Sequence, residues 1–179
     1  MNRRTFINGS IVAAGIGMAG CIGGDDNGEE QCLPEDGSDF LRWDDDQILH
    51  WAPSDDGFEI VVPRSPTQPA ADQREDRDPQ LRTHWLDLTY EDDDENLYML
   101  SASRFNEPEG ATEYASTAEP GQIAPLSGGL VDAPTAITGA RDLWAYRVLA
   151  ESEDLTDEAE TLFLNIPCVE EEHILDRTW

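Results

Sequence analysis

Cys168 and the three histidines carry donor atoms of the kind that hold a metal. Cys168 and His173 stand near the C-terminus with four residues between them, and His50 and His84 lie upstream. Two imidazoles and a thiolate in one plane, completed by a weak axial group such as methionine, make a copper centre for electron transfer. Against that reading, Arg177 occupies the place where an axial methionine would follow. The intervening Val169-Glu170-Glu171-Glu172 is also heavily charged for such a site. The thiol of Cys168 has a competing use. Cys32 and Cys168 are left over once a third cysteine, Cys21, is set aside, and in an oxidising compartment two such cysteines most simply form a disulfide. The two uses exclude each other, because a metal needs a free thiolate. The disulfide is the expectation adopted, with no metal and no cofactor assigned.

Other arrangements fail on spacing. Asp92-Asp93-Asp94-Glu95-Asn96 begins with alternating oxygen donors like a calcium-binding EF-hand loop. Its sixth position is Leu97 where glycine is needed, and its twelfth is Ser103 where glutamate is needed. An acidic turn accounts for it, and for Asp44-Asp45-Asp46. The chain has no Gly-x-Ser-x-Gly, no Ser-x-x-Lys and no glycine-rich phosphate loop. Three histidines and 39 acids can be combined on paper into many triads and carboxylate pairs, so no catalytic residue is assigned. Trp43, Trp51, Trp85 and Trp144 offer faces on which a sugar could stack, but core packing is their ordinary use.

The third cysteine has a different setting. Arg3-Arg4-Thr5-Phe6-Ile7 opens a short apolar stretch that ends at Met18-Ala19-Gly20-Cys21. At 7–20 this stretch is too short and too rich in glycine to span a bilayer comfortably. The segment resembles a twin-arginine export signal joined to a lipoprotein cleavage box. Arg3, Arg4 and Phe6 match the export pattern. Asn2, Ile7 and Asn8 depart from its hydroxyl residue, leucine and lysine, and Met18 departs from the leucine of the lipoprotein box. The resemblance implies that residues 1–20 are removed and that the Cys21 thiol receives a lipid. It further implies a protein held at the outer face of the cytoplasmic membrane. Long acyl chains contribute about 0.8 kcal/mol per buried methylene, so a multiply acylated cysteine anchors stably.

Charge bears on partners. The chain holds 39 acidic residues against 11 basic ones, every basic residue being arginine. All the acids follow position 20, and nine arginines remain with them, which leaves a charge of −30 after cleavage. Nucleic acid and anionic lipid surfaces would be repelled, and no basic stripe compensates. Membrane association therefore rests on the lipid of Cys21, and any other partner is an envelope protein or a small ligand. The composition resembles the acid-rich, lysine-poor surfaces of proteins from salt-loving archaea. Such charge presses a compact state apart, and molar salt, with a Debye length of about 3 Å, screens the repulsion.

The elements that must position these residues are mostly strands. After a tether at 21–31, residues 32–179 read as one β-rich domain. Strands are expected at Phe40-Leu41-Arg42-Trp43, at 47–51 and at 58–62, before a proline-rich loop at 63–82 that holds four of the arginines. A hairpin pairs 83–90 with 97–102, placing Leu86, Leu88 and Tyr90 on one face. A short helix is expected within 107–118, turns over 121–129, and strands over 142–150 and 161–166. In the strand at 142–150, Trp144, Tyr146, Val148 and Ala150 share one face and Arg147 takes the other. About seven or eight short strands suggest an antiparallel β-sandwich or open barrel. The function expected is a non-catalytic binding or interaction module of the cell envelope. Its rivals are a secreted hydrolase using carboxylates and an electron carrier similar to the cupredoxins, on the ligand spacing given above. The acidity predicts that circular dichroism will show the folded signal and melting point falling between about 3 M and about 0.1 M KCl. An unchanged spectrum and melting point would overturn the salt reading.

Overall fold

A computed structural model describes residues 32–53, 57–62, 65–69, 82–125 and 128–178. The leader, Cys21 and the tether lie outside the described residues, as do most of the 63–82 loop and Trp179. The domain is mainly β. Among the described residues, eight strands form a six-stranded antiparallel sheet and a two-stranded ribbon.

Apolar alternation builds the middle of the sheet. Strands β2 (His84–Asp92) and β3 (Leu97–Arg104) form the expected hairpin, with Leu88 opposite Leu100 and Tyr90 opposite Tyr98. Strand β7 (Trp144–Ala150) lies beside β3, pairing Leu100 with Val148 and Ala102 with Tyr146. Strand β1 (Phe58–Val62) closes one side against β2, with a register shift between Ile60 and Val62. Strands β6 (Thr135–Arg141) and β8 (Ile174–Thr178) complete the order β1-β2-β3-β7-β6-β8. Neither β6 nor β8 was expected. β6 is rich in small residues and is buried on both faces over its first five positions, so it shows no alternation to detect. The turns expected over 121–129 are in part strand β4 (Gly121–Ile123), which pairs with β5 (Val131–Ala133) as the separate ribbon.

Of the expected strands, those at 47–51 and 161–166 lie largely in helices, and the one at 40–43 is the last residue of a helix followed by a turn. Asp44-Asp45-Asp46 does not join two strands; it starts helix α2 (Asp45–Trp51). The Asp44 carboxylate accepts from the Gln47 N–H at 2.9 Å, and the Gln47 side chain accepts from the Asp44 N–H at 3.1 Å. This reciprocal cap satisfies two amides of the first turn, while Asp45 and Asp46 complement its positive end. Helix α1 (Gly37–Phe40) is capped in the same spirit by Asp36, which accepts from Ser38 N–H. The run at 161–166 belongs largely to α4 (Thr156–Leu164), whose buried Ala159, Leu162 and Phe163 follow helical spacing. The expected helix near 107–118 is α3 (Pro108–Ala115), with proline at its start where a missing N–H costs nothing.

The helices divide between the two faces. Phe40, Ile48, Trp51, Leu162 and Phe163 pack on the face formed by Leu86, Leu88, Tyr98, Leu100, Ile137, Tyr146 and Val148. Phe40 is the hub of an aromatic group, with its ring centroid 4.8 Å from Trp144 and 5.5 Å from Trp43. On the opposite face, α3 packs Ala111 and Ala115 with Phe105 over Ala145. The ribbon packs Ile123 and Ala133 against Ala136 and Leu149.

At Gly139 backbone comes close to the sheet. A Cβ there would stand 2.6 Å from Phe163 Cζ and would run into the carbonyl oxygen of His173. The sheet register between β6 and β8 shifts at this point, bringing backbone where a side chain would go. Gly139→Ala is therefore expected to lower stability by about 1–3 kcal/mol through overpacking. Denaturant unfolding of both proteins at one fixed high salt concentration measures it.

Candidate functional site

Cys32 and Cys168 form the expected disulfide, with Cα atoms 5.5 Å apart and a sequence separation of 136. Cys168 adopts φ of 64° just after α4, a left-handed conformation uncommon outside glycine. Arg141 at the end of β6 braces the joint. Its Nη1 donates to the Cys168 carbonyl and lies 3.8 Å from Cys32 Sγ. The chain after Cys32 is then held along the sheet end. Trp144 Nε1 donates to the Pro34 carbonyl at 3.1 Å, and Arg104 Nε donates to the Glu35 carbonyl at 2.8 Å.

The disulfide overturns the copper reading, since Cys168 offers no thiolate. The histidines are not brought together either. His50 is exposed on α2, and His84 places Nδ1 3.1 Å from the Thr83 hydroxyl. His173 accepts from Glu170 N–H at 2.9 Å through Nδ1. Among the described residues, no three His, Cys, Asp or Glu side chains are grouped to hold a metal ion.

The acidic turn between β2 and β3 is a structural device. Asp92 Oδ1 accepts from the N–H groups of Asp94 and Asn96, both at 2.9 Å. Its Oδ2 accepts from Asn96 Nδ2 and from the Tyr98 hydroxyl, both at 2.8 Å. This saturated carboxylate holds the turn while Glu95 takes φ of 67°. Burial opposes its charge, but the hydrogen bonds from Asn96, Tyr98 and Asp94 outweigh burial and hold its pKa below the ordinary value. An open hollow of about 320 Å³ adjoins the turn, lined by Asp92, Asp93, Asp94, Asp157 and Glu158 with Phe58.

Three of the four expected tryptophans are core residues, with Trp43, Trp51 and Trp144 all buried. Trp85 differs. It sits half-buried on β2 under the Arg82 guanidinium, whose carbon is 5.1 Å from the indole and 5.9 Å from the Tyr114 ring.

The most unusual constellation is a polar row on the face opposite the main core. Register places Asp87 beside Ser101, Ser101 beside Arg147, Arg147 beside Thr138, and Thr138 beside Asp176, across five strands. Four members have partners. Ser101 Oγ donates to Asp87 at 2.6 Å, Thr138 Oγ1 donates to the Ala115 carbonyl at 2.6 Å, and Asp176 accepts from Ala118 N–H at 2.8 Å. Arg147 is the exception: its Nε and Nη2 are buried and have no acceptor. Alternation in the sequence separates Arg147 from its apolar neighbours in β7. Its place in a row depends on pairing between strands distant in the chain, which no local pattern encodes.

Comparison of the chain with protein-family models, curated proteins and solved structures finds no match.

Asp92→Ala removes four accepted hydrogen bonds and is expected to cost about 2–3 kcal/mol, read from denaturant unfolding at neutral pH. The sign of the pH dependence follows from its lowered pKa. The ionised Asp92 contributes fully above the unfolded value near 4, and the contribution falls away as pH drops through the lower folded value. The gap between wild type and variant should therefore narrow in acid.

Proposed function

We propose that this chain is a lipid-anchored module of the cell envelope that binds a partner without chemistry of its own. The observation that supports this reading most directly is the pairing of Cys32 with Cys168. Disulfides persist outside the reducing cytoplasm, and this one leaves Cys21 as the single unpaired cysteine, at the position the lipoprotein pattern requires. The bond also suits a tether. Residues 21–31 join the anchor to Cys32, where the disulfide and the bonds to Pro34 and Glu35 fasten the chain to the sheet. A pull on the tether would be borne by a covalent link to the C-terminal part of the chain.

A binding role draws support from Arg147, a cation held on the sheet with one edge unfilled. The partner is an envelope protein or a small ligand, and the charge of the chain disfavours nucleic acid. Mass spectrometry of protein from its native host is expected to show a chain beginning at Cys21 with lipid on the sulfur. Cys21→Ser should move the protein from the membrane fraction to the medium. An intact start or a bare thiol at Cys21 would overturn the anchoring, and two thiols reactive under denaturing, unreduced conditions would overturn the oxidising setting.

A further inference from the structure

We propose that the Nε–Nη2 edge of Arg147 is a recognition site for a carboxylate. In a planar guanidinium these two nitrogens direct parallel N–H bonds to one side, the spacing that meets both oxygens of a carboxylate at once. The unpartnered atoms of Arg147 are therefore one complete bidentate edge and not scattered leftovers. The domain contains an internal comparison. Arg177 uses the same edge, with Nη2 donating to Glu160 Oε1 at 2.8 Å and Nε to Oε2 at 3.4 Å.

No such internal carboxylate serves Arg147. Among the described residues, none lies within ion-pair distance of it, although the chain holds 39 acids. Asp87, the nearest acid in one direction along the row, is two strands away and already accepts from Ser101. A buried charged donor without an acceptor costs its full desolvation penalty, which a satisfied one recovers. An apolar residue at position 147 would avoid that cost on a sheet face that elsewhere carries Ala145 and Leu149.

The β4–β5 ribbon covers this edge. Gly121 of β4 lies over the guanidinium; a Cβ there would be 3.4 Å from Arg147 Nη2 and 2.8 Å from Leu149 Cδ1. The ribbon carrying Gly121 is held by three paired residues on each strand and a small apolar cluster. Because both nitrogens are buried, a carboxylate binding this edge would have to displace the ribbon.

This inference deepens the binding-module reading by naming a ligand class, and its test is independent of anchoring. The full chain is titrated with potassium acetate replacing potassium chloride at constant ionic strength, while NMR follows each arginine Nε–H. The Arg147 signal should shift saturably, and those of exposed Arg42 and of Arg177 should not. Arg147→Lys keeps the charge and loses the edge, so it should bind acetate at least tenfold more weakly, in line with a lost bidentate pair. A linear shift shared by all arginines, no shift, or equal binding by Arg147→Lys would each overturn the site. If that variant fails to fold, the wild-type resonance still decides. Failure here leaves the lipid on Cys21 to be judged by mass spectrometry alone.

Discussion

A β-strand sends successive side chains to opposite faces, and the central strand β7 puts very different contents on the two sides. Trp144, Tyr146, Val148 and Ala150 point into the larger core, where Phe40, Ile48, Trp51 and Phe163 cover them. Ala145, Arg147 and Leu149 point the other way, under α3 and the β4–β5 ribbon. Because the period is two, a shift of one residue would bring Arg147 into the aromatic core and drive Trp144 under α3 and the ribbon. Burying four aromatic or branched side chains along a few strands is worth several kcal/mol, which makes that register firm. The position of the guanidinium is thus a by-product of the strongest apolar packing in the molecule.

The acidic residues have more than one use. Asp36, Asp44, Asp92 and Asp176 accept backbone N–H groups, so part of the acid content serves as caps and turn anchors. The described ion pairs, Arg42–Asp39, Arg141–Asp142 and Arg177–Glu160, involve only a small part of the rest. A solvent-exposed pair such as Arg42–Asp39 contributes little. Hydrogen bonds to oriented carboxylates matter more, because each satisfies a donor that the fold would otherwise leave bare.

Legibility in the sequence followed local signal strength. β2, β3 and β7 alternate clearly, and the proline before α3 marks its start. α2 was misread because Ile48, Leu49 and Trp51 have strand-like character, while the decisive information lay in the Asp44–Gln47 cap. α4 was misread because its C-terminal apolar run hides a helical period visible only when Ala159 is included. β6 escaped notice for the opposite reason: a small-residue strand buried on both faces has no contrast.

What the sequence by itself determined is therefore chemical and local. It supplied the two cysteines that pair, the alternation that builds the central strands, the polar character of Arg147 within an apolar strand, and a strongly acidic net charge. Only the tertiary structure decided that β7 lies between β3 and β6, and so that Asp87, Ser101, Arg147, Thr138 and Asp176 stand in one row. The reason is that neighbours in this sheet come from distant parts of the chain. Their pairing follows from burying both faces at once, a condition that no short stretch of residues can express.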